Sequence, residues 1–73
     1  MGEKMFPRWI SKQLVKNDMS QRELSEQLGI HESLVSRWMK GERVPTLPRI
    51  IKLSSIFGVG VEEILKKMGK LDV

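Results

Sequence analysis

Residues 20–41 read SQRELSEQLGIHESLVSRWMKG, and the spacing of caps and apolar side chains within them decides the fold. Ser20 followed three residues later by Glu23 has the form of a capping box. In that arrangement the hydroxyl accepts from an amide of the first helical turn, and the carboxylate reaches back to the cap. Leu24 and Leu28 then lie one turn apart on one side of the helix, with the small Ser25 beside them. Gly29 ends it, because glycine adopts the left-handed conformation that a helix C-cap requires. Only Ile30 and His31 precede a second helix over Glu32 to Lys40. The apolar stripe of this helix is narrow: Val35 and Trp38, flanked by Leu34 or Met39, with Gly41 closing it.

Two short helices joined by a tight turn containing glycine form a helix-turn-helix. Leu24, Leu28 and Val35 must pack the two helices at a steep angle, Ser25 is small where the backbones approach, and Ile30 can plug the turn into the core. Residues 32, 33, 36, 37 and 40 fall opposite the Val35–Trp38 stripe, at i, i+1, i+4, i+5 and i+8. That outer face is free to enter the major groove of DNA, which is about 12 Å wide and admits one helix. Arg37 suits a bidentate contact to guanine O6 and N7, discriminating by about 1–3 kcal/mol. Lys40 and Arg43 suit phosphates, which position a protein without reading sequence.

Outside this segment the glycines and prolines punctuate further helical patterns. Pro7 suits the first turn of a helix, since it needs no amide donor there. Trp9, Ile10 and Leu14, with Met5 or Phe6 before them, share one face, and Asn17-Asp18 reads as a turn. Arg8, Lys12 and Lys16 recur every four residues on another face, either as a solvated surface or as a stripe against a nucleic-acid backbone. A fourth helix opens at Thr46 as cap, with Pro48 in its first turn, and runs through Ile50, Ile51, Leu53 and Ile56 to Phe57-Gly58. A fifth covers Val61 to Met68, with Glu62 and Glu63 early and Lys66 and Lys67 late, a charge order that suits the helix dipole. No stretch reads as a strand. The expected architecture is one all-α domain over residues 1–73 with five helices, and frayed ends at 1–5 and 69–73.

Seventy-three residues with 40% hydrophobic content allow one modest core, and the absence of cysteine removes disulfides and thiolate metal sites as supports. No apolar run approaches the roughly 20 residues that span a bilayer, and Met1 to Trp9 lacks the apolar core of a signal peptide. The expectation is a soluble, cytoplasmic protein. Thirteen Lys and Arg against nine Asp and Glu leave a net charge of +4, which favours an anionic partner, nucleic acid above all. His31 is the single histidine, so a metal site lacks partners. Ser33 and Ser36 have no base beyond His31 and no oxyanion arrangement, which argues against catalysis. Trp38, by its spacing from Val35, reads as core and not as a base-stacking residue, and Trp9 as core or interface.

The elements S-Q-x-E-L-x-x-x-L-G-I, V-S-R-W-x-K-G, V-P-T-L, the apolar fourth helix and F-G-V-G-V-E-E-I-L follow in order from about Ile10 to Leu65. In that order and at those separations the chain resembles the phage repressor and Cro family of helix-turn-helix regulators, the XRE family, with its lambda-repressor-like five-helix fold. The resemblance implies double-stranded DNA as partner. It also implies that Gln21 clamps a phosphate with its amide and backbone N–H. Glu32, Ser33 and Arg37 then reach base edges, and Ser36, Lys40 and Arg43 meet phosphates. His31 stands where the family usually has Ser or Thr, which sets a cap against a phosphate contact for that side chain. Glu32 stands where Gln or a basic residue is frequent; a carboxylate there has to accept from cytosine N4 or pair with an arginine.

A single domain of this size touches few base pairs, so a homodimer on two half-sites is expected. The fifth helix either completes the core or supports the dimer seam. The function implied is sequence-specific transcriptional regulation, repression above activation, with no cofactor and no small-molecule ligand. The alternatives are an antitoxin-like or phage accessory protein working through a protein partner, and the controller protein of a restriction-modification system.

Overall fold

The computed structural model describes residues 5–69. Five helices follow one another: α1 (Met5–Lys16), α2 (Gln21–Leu28), α3 (Glu32–Lys40), α4 (Leu47–Phe57) and α5 (Val61–Lys67). Among the described residues there is no strand.

The boundaries follow from backbone chemistry. Ser20 Oγ accepts from Glu23 N at 3.0 Å while Glu23 Oε1 accepts from Ser20 N at 2.9 Å, so both halves of the expected capping box form. Gly29 ends α2 at φ +70°, its N–H donating to Glu26 O at 3.2 Å and that of Ile30 to Ser25 O at 3.0 Å. These two bonds make a Schellman motif, which satisfies carbonyls the helix end leaves free. Gly41 repeats it after α3, with Gly41 N to Trp38 O at 3.2 Å and Glu42 N to Arg37 O at 2.9 Å.

Three expectations shift. The first helix begins two residues before Pro7, so Met5, expected to fray, is its first residue; residues 1–4 and 70–73 lie outside the described part. Thr46 occupies the cap position of α4 without a side-chain capping bond. The fifth helix closes at Lys67, with Met68 as its cap.

Four aromatic rings run through the core as a chain. Trp38 of α3 meets the edge of Phe6 at 6.5 Å between centroids, Phe6 stacks on Trp9 at 5.9 Å, and Trp9 meets Phe57 of α4 edge-on at 5.9 Å. Each contact contributes beyond the area it buries, by about 0.5–1.5 kcal/mol. Helix α1 is therefore the strut between α3 and α4. It also holds α5, because Trp9 Nε1 donates to Glu63 Oε2 at 3.1 Å, and Ile64 and Met68 are buried beneath. Of the two candidates Met5 and Phe6, Phe6 is fully buried and Met5 is exposed. Leu24, Ser25, Leu28 and Val35 are buried between α2 and α3 as the motif requires, and Ile30 packs half-buried against them.

Candidate nucleic-acid interface

The interface is built from the two ends of α3. At its start, His31 has extended backbone (φ −74°, ψ 142°) and its Nδ1 accepts from Ser33 N at 3.1 Å. Ser33 Oγ lies 2.9 Å from the same nitrogen. The imidazole therefore caps the helix, one of the two roles expected of it. An acceptor at Nδ1 requires the neutral ring with its proton on Nε2. At its end, Arg37 and Lys40 lie in the last turn, with Glu32 in the first. Each charge thus lies at the favourable end of the helix dipole.

Packing selects the outward face. Val35 and Trp38 are fully buried, and Leu34 and Met39 flank them half-buried. Opposite, Glu32, Ser33, Arg37 and Lys40 are exposed and Ser36 is half-buried. The structure thus brings five of the seven expected site residues onto one helical face. Arg43 is exposed in the loop just past Gly41. Among the described residues neither Arg37, Lys40 nor Arg43 pairs with a carboxylate; the ion pair present there joins Arg22 to Glu26, 3.5 Å apart on the surface of α2.

Gln21 does not join that face. It is the first residue of α2, half-buried, and shares a shallow groove with Ser11, Val15 and Asp18 of the α1–α2 corner. The eight residues of α2 rise about 12 Å, so Gln21 stands at the far end of that helix from the turn. The capping box uses the N–H of Glu23, while the N–H of Gln21 and Arg22 have no carbonyl one turn back to receive them. Donors of this kind at a helix start suit a phosphate oxygen.

The reading of isolated helices missed the neighbourhood of the α3 C-terminus. Pro7, Arg8, Ser11 and Lys12 of α1 line a groove together with Met39. A Cβ added to Gly41 would lie 3.4 Å from Pro7 Cγ. No spacing within α1 or α3 announces this proximity; the Phe6–Trp38 contact creates it.

Several findings bear on kinship. Among the described residues no helix is long and apolar enough to cross a membrane. No curated protein matches the chain. The sequence profile of a helix-turn-helix family matches residues 10–64, about three quarters of the 73 residues, and the matched span runs from within α1 to within α5. An all-helical fold with the α2–turn–α3 unit at its centre, and a match over most of its length, make this chain a member of the XRE-type, Cro/repressor-like helix-turn-helix family of DNA-binding transcription regulators.

Proposed function

We propose that this protein is a sequence-specific transcriptional repressor that acts in the cytoplasm as a homodimer and lays α3 in the major groove. The observation that carries the reading is the division of α3 into two faces. Val35 and Trp38 are sealed in the core, which leaves Glu32, Ser33, Ser36, Arg37 and Lys40 as the surface available to DNA. Glu32, Ser33 and Arg37 serve as base-contacting residues; Gln21, Ser36, Lys40 and Arg43 hold phosphates.

A homodimer follows from size. Half-sites one helical turn apart require recognition helices about 34–36 Å apart. The molecule measures 32 × 23 × 22 Å, so two copies side by side reach that separation. Val44, Leu47 and Ile51 supply an apolar contact for the second copy; they are 41%, 58% and 54% exposed and follow α3 directly in the chain. Neutralising about four phosphates per protomer gives a slope of log K against log salt near −7.

The test is selection of bound duplexes from random DNA, followed by electrophoretic shift assays. Arg37→Ala is expected to lose preference at one position of the half-site, while Lys40→Ala weakens all sequences alike and flattens the salt dependence. If Arg37→Ala leaves affinity and base preference intact, the recognition-face assignment is wrong.

A further inference from the structure

Arg8 and Lys12 lie one turn apart on the exposed side of α1, and the groove they line with Pro7 and Ser11 is closed on its other side by Met39 of α3. On its opposite flank the same pair lines a second groove with Met5, Trp9 and Lys67. Among the described residues no carboxylate lines either groove. Lys16, the third cation of the repeating pattern, lines neither.

A helix with its side chains is about 10–12 Å across, and the major groove is about 12 Å wide. A helix that fills the groove therefore places whatever borders it sideways over one of the two phosphate ridges. The border of α3 along Met39 is α1. Four residues of helix rise about 6 Å, so the two long cationic side chains can reach neighbouring phosphates of one strand, which follow one another about every 3.4 Å along the duplex axis. We infer that Arg8 and Lys12 form a phosphate-binding pair on α1, gripping the DNA backbone on the Met39 side of α3 and enlarging the footprint beyond the helix-turn-helix itself. The inference rests on α3 occupying the major groove. It concerns positioning alone, since these side chains reach no base edge.

The experiment uses the full chain and a duplex obtained by selection. Salt titrations and phosphate-ethylation interference are compared for the unaltered protein, Arg8→Gln, Lys12→Gln, Arg8→Lys and Lys66→Gln. Arg8→Gln and Lys12→Gln are each expected to lower the salt slope by about 1.8 in a dimer that loses one contact per protomer. Each is also expected to lose interference at one phosphate per half-site and to keep the base preference. Arg8→Lys keeps the slope, and Lys66→Gln, which removes an exposed charge from α5, keeps both slope and footprint. In the unaltered complex, Lys12 is protected from acetylation, a readout that needs no variant. An unchanged footprint in both Gln variants, or free acetylation of Lys12 in the complex, overturns the pair. Failure of the unaltered protein to bind any duplex overturns the proposed function as well, which separates the two.

Discussion

At the start of α3 the capping acceptor is an imidazole nitrogen instead of a hydroxyl or carboxylate oxygen. Its two partners, Ser33 N at 3.1 Å and Ser33 Oγ at 2.9 Å, both belong to a residue of the exposed face proposed to meet DNA. The cap therefore orders the backbone and the Ser33 hydroxyl together, before any DNA is present. His31→Ala removes the acceptor and is expected to cost about 0.5–2 kcal/mol, whereas His31→Ser supplies an oxygen at the same place and recovers most of it. Urea denaturation of the three proteins checks this; equal midpoints would mean that the imidazole contributes nothing. Among the described residues two buried polar atoms, Trp38 Nε1 and Gln13 Oε1, have no partner, so each opposes the packing around it.

Among the elements, α2 and α3 each end on a backbone conformation that favours glycine. Gly29 and Gly41 both stand in the left-handed region, at φ +70° and +77°. An L side chain there costs roughly 1–2 kcal/mol. Space scarcely separates the two sites: a Cβ on Gly29 meets nothing within 4 Å, while one on Gly41 lies 3.4 Å from Pro7 Cγ of α1, an ordinary van der Waals contact. Gly29→Ala and Gly41→Ala are each expected to cost about 1–2 kcal/mol, set by the left-handed backbone. Denaturation midpoints of both proteins decide it; an unchanged midpoint in either variant contradicts the strain assigned to its backbone. The exposed Arg22–Glu26 pair on α2, by contrast, is worth only about 0.3–0.5 kcal/mol.

For the whole molecule the proposed homodimer poses the question of where a second copy would sit. The fifth helix, which sequence left between core and dimer seam, gives Ile64 and Met68 to the core and is tied to α1 through Glu63 and Trp9. Among the described residues the exposed large apolar side chains are Met5 and Val15 on α1 and Val44, Leu47 and Ile51 after α3, and the last three are the proposed seam. Leu47→Glu or Ile51→Glu is expected to convert the protein to a monomer in sedimentation and to abolish cooperative filling of two half-sites, without unfolding it. Dimers that persist in both variants would place the seam elsewhere.

Helix termini and inward faces were legible in the chain alone, because both obey local rules. A capping box, a left-handed glycine and a 3.6-residue apolar period each act within a few residues, so Ser20, Gly29, Gly41, Val35 and Trp38 were read correctly one segment at a time. The outward face of α3 came with them, as the complement of its buried stripe. Chemistry that crosses between segments was not legible. That His31 caps depends on a rotamer, that Phe6 and not Met5 enters the core depends on Trp38, and that Arg8 and Lys12 border α3 depends on the packing of those rings. Sequence period states which side of a helix turns inward; only close packing of side chains from distant segments settles which helix it meets there.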